Sequence, residues 1–292
     1  MRMLLASVMG IMLCATTVSG EPWVLEADVN LTLNQNNYSD NWVGGEAGSI
    51  SWALNSNWLA ERQLNEKLHS KSTLKLLFGQ THNQDVETKD WAKPVKSTDL
   101  IDFESVFRFT LGAIVDPYAG VRIETQFLDQ SDPELDRFVN PVKFTESAGI
   151  AKVVIKEEKR EWNVRLGAGV RQYLNRDVLN IDTDERETLT SSDAGLVFDS
   201  EFKTPLADDR ITFQSKLTVF EAVYYSEKEE LEGLPNEDYW KAPDVNWENI
   251  FTAGITDYLM VNLYIQLLYD KEIDLAGRFK QTLALGVTYK LL

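Results

Sequence analysis

The sequence predicts an all-β fold, a transmembrane up-and-down antiparallel β-barrel of about twelve strands. Long runs alternate apolar and polar residues with period two, the spacing that puts successive side chains on opposite faces of a strand. The last run sets Leu283, Leu285, Val287, Tyr289 and Leu291 against Lys280, Thr282, Ala284, Gly286, Thr288 and Lys290, and then the chain stops. An apolar strand there suits a closed sheet, because closure removes the unpaired edge that lipid could not solvate. No stretch after the N-terminus offers about 18 uninterrupted apolar residues, so membrane-spanning helices are excluded.

Met1 to Gly20 reads as a secretory signal, with Arg2 as its charge, Met3 to Ala15 as its apolar core and Val18-Ser19-Gly20 as the small-residue cleavage site. Residues 21–292 are then expected to form one barrel domain, exported to a Gram-negative-type outer membrane. Cys14 is the only cysteine, and Leu13 stands before it where lipoprotein processing needs a small residue. The exported chain is therefore cysteine-free and gains nothing from disulfides. The formal charge of −17 argues against nucleic acid as a partner, which needs clustered Lys and Arg. Much of the acid falls in two expected loops, at Asp182, Asp184, Glu185 and Glu187 and at Glu227, Glu229, Glu230, Glu232, Glu237 and Asp238.

The first strand spans Trp23 to Asn34, with Leu25, Ala27, Val29, Leu31 and Leu33 on the lipid side. A polar loop leads to Ser49–Ala60, where Ile50, Trp52, Leu54 and Trp58 share a face, and the two make the first hairpin. Ser72–Gln80 is a third strand. Leu100–Leu111 sets Ile101, Phe103, Phe107, Phe109 and Leu111 against Asp102, Glu104, Arg108 and Thr110. After the turn at Val115-Asp116-Pro117, Val121, Ile123 and Phe127 oppose Arg122, Glu124 and Gln126. Val142–Ile155 pairs next, with a bulge expected around Ser147 to Ala151. Trp162, Val164, Leu166, Ala168 and Val170 alternate with Asn163, Arg165, Gly167, Gly169 and Arg171. Leu196, Phe198 and Phe202 alternate with Val197, Asp199, Glu201 and Lys203. Ile211, Phe213, Leu217 and Val219 then oppose Thr212, Gln214, Lys216 and Thr218. Asn246–Thr256 and the run from Leu259 to Tyr269 precede the final strand.

Connections alternate in length, as expected of short periplasmic turns and longer extracellular loops. The long ones fall near Gln35, Thr81, Gln130, Leu174, Ser226 and Lys271, the short ones near Pro117, Glu158, Asp208 and Asp257. The connection from Glu61 to Ser70 breaks the rule. Both termini are then periplasmic. Trp23, Trp58, Tyr118, Trp162, Tyr258 and Tyr289 fall near one interface and Tyr224, Trp247 and Tyr269 near the other, two aromatic girdles.

A series of short motifs runs through these elements: Asn41-Trp42 with Gly44-Gly45 and Ser49, Lys96-Ser97 with Asp99, Phe138 through Asn140-Pro141, Asn246-Trp247-Glu248-Asn249, and Leu268-Tyr269-Asp270 before Tyr289-Lys290-Leu291. In this order they resemble a family of bacterial outer-membrane proteins grouped under a domain of unknown function. The resemblance implies a membrane barrel. It implies no activity and carries over no catalytic residue. Many barrels end on an aromatic residue in phase with the outward face, whereas this chain ends at Leu292; recognition by the barrel-insertion machinery is then expected either to be weaker or to rest on Tyr289.

His69 and His82 are the available histidines. His69-Ser70 falls in an expected periplasmic connection, and His82 has Asn83 and Gln84 beside it rather than a serine, so both read as exposed polar side chains rather than a catalytic pair. Asp182-Thr183-Asp184 with Glu187 lacks the turn glycine of a calcium loop and reads as a solvated loop. No cofactor or metal is expected. The inward faces carry the functional lead: Asp102, Glu104, Arg108, Arg122, Glu124, Arg165, Arg171, Glu201, Lys203 and Lys216 point into the lumen with both signs mixed. About twelve strands lie between a filled interior and an aqueous channel, so opposite charges either line a narrow pore or pair across it and seal it. The favoured role is a narrow passage or binding site for small polar solutes, with outer-membrane lipid as the surroundings. A structural or surface-interaction barrel is the alternative, and an enzyme such as a phospholipase comes after it.

Overall fold

The computed structural model describes residues 22–38, 47–132, 134–180, 183–256 and 258–290. The expected signal with Cys14, the Asn41-Trp42 and Gly44-Gly45 motif, Asp182, Asp257 and the Leu291-Leu292 end lie outside them. Among the described residues fourteen strands follow one another: β1 (Val24–Asn36), β2 (Ser49–Asn65), β3 (Leu68–Asn83), β4 (Val95–Phe109), β5 (Asp116–Thr125), β6 (Leu128–Asp129), β7 (Arg137–Phe138), β8 (Val142–Lys156), β9 (Glu161–Asn180), β10 (Glu185–Leu206), β11 (Ile211–Tyr225), β12 (Asp244–Gly254), β13 (Leu259–Tyr269) and β14 (Arg278–Lys290). The two-residue strands β6 and β7 form a hairpin of their own; the other twelve close into a barrel in which every pair is antiparallel. The ring is sealed where β1 pairs with β14, Val29 opposite Tyr289.

Period two sets what each face meets. Leu31, Leu33, Leu166, Leu196, Leu283 and Leu285 are exposed on the outer wall, where none of the described residues covers them. Such a belt is unfavourable in water and favourable against hydrocarbon. Toward the short-turn end it becomes an aromatic row across four strands, Trp162, Phe202, Phe213 and Phe251, with successive ring centroids 6.3, 6.3 and 4.7 Å apart. Three outward indoles donate their N–H to a serine on the same wall: Trp58 to Ser56, Trp162 to Ser200 and Trp247 to Ser215. In lipid an unpaired donor would cost several kcal/mol, so each serine lets a tryptophan face outward.

Several sequence expectations change. The Glu61–Ser70 connection is mostly strand: β2 runs to Asn65 and β3 starts at Leu68, so the exception to the alternation disappears. Near Leu174 no long loop exists, because β9 and β10 continue as a projecting hairpin to Asn180 and Glu185. At 20 and 22 residues these strands are roughly twice the 9–11 that a crossing requires. Their polar outer halves lack the apolar alternation by which strands are read. In β8 the register shift lies between Val153 and Ile155, beyond the expected bulge. Phe127 falls past the end of β5 and instead packs edge-on against the outward Phe78 at 6.0 Å. Tyr118 belongs to no girdle: it pairs with Arg108 on the inward face and is buried, with the Arg165 guanidinium 5.7 Å from its ring centroid. It fits because position 167 is glycine, where a Cβ would stand 2.8 Å from the tyrosine oxygen.

Candidate functional site: the charged lumen

The inward charges meet across the barrel. Glu104 on β4 accepts from Arg165 on β9 at 2.5 Å and from Lys216 on β11 at 2.7 Å. Lys71 on β3 reaches Glu201 on β10 at 3.2 Å, and Lys75 on β3 reaches Glu248 on β12 at 2.9 Å. Within the ring β4 and β11 are separated by β5, β8, β9 and β10, and β3 and β12 by β2, β1, β14 and β13. Such bonds have to cross the lumen. The first group is knitted together further, because Lys216 lies 3.5 Å and Arg165 3.7 Å from Glu201, and Arg165 lies 3.4 Å from Asp199. A second group lines the wall: Arg122 holds Asp102 with two bonds of 2.8 and 2.9 Å and lies 3.1 Å from Glu124, which in turn pairs with Lys143 at 3.1 Å.

Three expected lumen residues lie apart from this network. Arg108 sits toward the short turns, 3.9 Å from Asp116. Lys203 is exposed near the short-turn rim of β10. Arg171 belongs to the opposite mouth, where it holds Asp193 with bonds of 2.8 and 2.6 Å, reaches Asp244 at 2.6 Å and stacks on Phe220 at 3.6 Å. The remaining candidates, Asp102, Glu104, Arg122, Glu124, Arg165, Glu201 and Lys216, are the ones brought together.

The sequence reading missed Lys71, Lys75, Lys143, Asp199 and Glu248 as site residues. For Asp199 the alternation with Phe198 and Phe202 is signal enough, and Glu248 follows in the same way because Asn246, Glu248, Thr252 and Thr256 alternate with Trp247, Phe251, Ala253 and Ile255. Lys71 and Lys75 lie on β3 and Lys143 on β8, strands whose faces were not assigned. His69 is inside β3 and half-enclosed, 2.9 Å from Glu61, rather than an exposed residue of a turn. Ser70 follows on the opposite face of the same strand, so the two cannot act as base and nucleophile.

Toward the short-turn end the network borders a polar recess lined among others by Glu61, His69, Thr73, Arg108, Lys156 and Asn163. The lumen thus has a polar antechamber on one side and a bridge of paired charges above it. A closed antiparallel ring with an apolar exterior and a charged interior defines a transmembrane β-barrel of the outer-membrane type.

Residues 33–130 match the model of a family described as a protein of unknown function (DUF3078), and over this segment the likeness to that family is shown. No curated protein matches the chain. Solved structures similar to it include an outer membrane channel from Pseudomonas putida F1, at 17% identity and TM-score 0.42 over 95% of this chain and 98% of that one. The translocator domain of the autotransporter NalP from Neisseria meningitidis aligns at 10% identity and TM-score 0.36, over 99% of this chain and 96% of the other. OmpF of Salmonella typhi, in complex with daunomycin, aligns at 10% identity and TM-score 0.26, over 92% and 97%.

Proposed function

We propose that this protein is a constricted outer-membrane passage for small polar solutes, with the cross-lumen ion pairs as its constriction. The observation that carries this reading is that the interior is closed by charge rather than by apolar packing. A barrel needing only to stand closed gains nothing from such a fill. Replacing buried ion pairs with apolar side chains of similar volume is often neutral or stabilising by about 1–4 kcal/mol. Paired charges offer something apolar packing does not: each group can exchange its partner for a solute charge, a solute dipole or water, so the barrier rearranges without unfolding the wall. Glu104 is the hub, because its carboxylate alone joins β4 to both β9 and β11.

The same pairs also favour a second reading, a closed structural barrel in which the bridge is permanent. Planar-bilayer recording separates the two. A passage predicts small unitary currents from the native protein. Glu104→Gln should enlarge them and shift ion selectivity toward anions, because Arg165 and Lys216 lose their shared partner. Silence from both proteins, each showing the heat-modifiable migration of a folded barrel, would reject the passage and leave the structural barrel.

A further inference from the structure

One part of the lumen breaks its polar pattern. At the extracellular end Val197, Phe220 and Ala222, all on the inward faces of β10 and β11, form a buried apolar cluster, and the side chain packed against it comes from outside the wall. It is Trp240, in a short 3-10 turn (Tyr239–Lys241) of the connection between β11 and β12. Its ring also lies 6.2 Å from that of Tyr225, the last residue of β11.

The segment bearing this indole is wound into one piece. Its backbone is wound on itself by successive three-residue turns: Glu230 N–H to Glu227, Leu231 to Lys228, Leu234 to Leu231, Glu237 to Leu234 and Tyr239 to Asn236. Gly233 takes the left-handed φ of 79° that one bend requires, and its N–H donates to Glu237 at 2.8 Å. Both ends are fastened. Ser226 exchanges bonds with Ser192, N–H to carbonyl at 2.8 Å and Ser192 N–H to hydroxyl at 3.0 Å, and Asp244 is held by Arg171. Between these anchors the contacts with the rest of the barrel include the indole seat and Lys271, 4.6 Å from the Tyr239 ring centroid. Glu229, Glu230, Glu232, Glu237 and Asp238 on the outer side are exposed and acidic, so the segment has one apolar point facing in and a solvated surface facing out. Elements with few buried contacts open at low cost, and lids are drawn from them.

We propose that residues 227–243 form a lid over the extracellular end of the lumen, latched by Trp240 in the Val197–Phe220–Ala222 seat. Its bearing on traffic rests on the passage reading above; the lid itself does not. With Trp240 seated, solute meets a wall of indole and tyrosine. With the indole withdrawn, the Val197–Phe220–Ala222 face of β10 and β11, beside the Arg171 guanidinium that stacks on Phe220, opens from outside.

The experiment reports the two separately. Ala222→Cys in the full chain places a thiol beneath the indole, to be labelled from outside with a membrane-impermeant maleimide. The lid predicts slow labelling, several-fold faster when Trp240→Ala is added, and slow again with Trp240→Phe, which refills the seat. Heat-modifiable migration confirms that each variant is a folded barrel. Equal labelling rates with and without the indole would overturn the lid. In bilayers, Trp240→Ala should raise the open fraction or the current of a conducting barrel. An unchanged current despite faster labelling would overturn its control of passage. No current from any variant, with labelling still accelerated, would retain the lid and sink the passage reading instead.

Discussion

Glu272 shows how a single residue at the mouth couples the barrel to pH. It lies in the connection between β13 and β14, outside the membrane-spanning strands, and partial desolvation followed by the nearby charges of Asp270 and Asp244 pushes its carboxyl up to about 7. The folded protein therefore keeps a proton that the unfolded chain releases near the ordinary value of 4.5. Whatever binds more protons when folded loses stability as pH rises, so this contribution is intact below the unfolded value and fades as pH climbs through about 7. Hydrogen exchange at the Asp270–Gly277 connection should quicken beyond its intrinsic pH dependence as pH rises from 4.5 to about 7, the window that the two pKa values define, and no further above it. Glu272→Gln should remove the excess. An equal excess in the variant would assign the effect to a group other than Glu272. The site was readable in sequence to different depths at this scale: Glu104, Arg122, Arg165 and Lys216 stand out because a charge in phase with an inward face has nowhere to point but the lumen. Their partners were not readable, since pairing between β4 and β11 depends on barrel closure and no local pattern encodes it.

The family-like motifs acquire a physical meaning at the level of elements. Lys96 donates to Gln126 at 2.7 Å and to the Leu128 carbonyl, while Asp99 accepts from the Phe127 and Leu128 N–H groups at 2.7 and 2.9 Å. Asn140, fully buried, donates to Asp129 at 2.9 Å and Asn175 at 2.8 Å and accepts from the Arg176 N–H at 2.8 Å. Lys96, Asp99 and Asn140 thus clamp the β5–β8 connection, with its β6–β7 hairpin, against the extracellular ends of β4 and β9. In the same way Asn246 and Glu248 belong to the lumen and Trp247 to the outer wall. Motifs gave the residues but not these jobs, because the contacts run between elements far apart in sequence. Strand phase was the more dependable signal, and it makes a quantitative claim. Leu263 and Leu285 lie on the outward faces of β13 and β14, and replacing either with Arg should cost about 2–4 kcal/mol near the midplane. Thr282→Lys or Asn262→Lys, on the inward faces, should cost much less, because the lumen supplies polar partners. Urea unfolding from lipid vesicles ranks the four variants, and equal costs on both faces would contradict the assignment of a lipid-facing side.

For the whole molecule, the orientation in the membrane follows from connection lengths. With β2 and β3 joined through residues 66–67, the connections at 66–67, 110–115, 157–160, 207–210 and 255–258 share one end. The connections at 84–94, 126–141 and 226–243 lie at the other, together with the projecting β9–β10 hairpin. The tight end turns sharply: Ala207, Asp208 and Asp209 all take left-handed φ values near 53°, 55° and 66°, closing the reversal between β10 and β11. Assembly of outer-membrane barrels leaves short turns in the periplasm and long loops outside. Cysteines at Thr190 on the β9–β10 hairpin and at Glu230 on the lid should therefore react with an impermeant thiol reagent on intact cells, while one at Asp208 should react only after the membrane is opened. The prediction separates the membrane barrel from a water-soluble one as well as fixing its direction. Reaction at Asp208 alone would invert the barrel and move the lid to the periplasmic side. Equal reaction at all three positions in a monomer that refolds in plain buffer would remove it from the membrane altogether. In that case the exposed Leu31, Leu33, Leu283 and Leu285 face would have no hydrocarbon to meet, and the closed ring would have to keep that apolar wall in water.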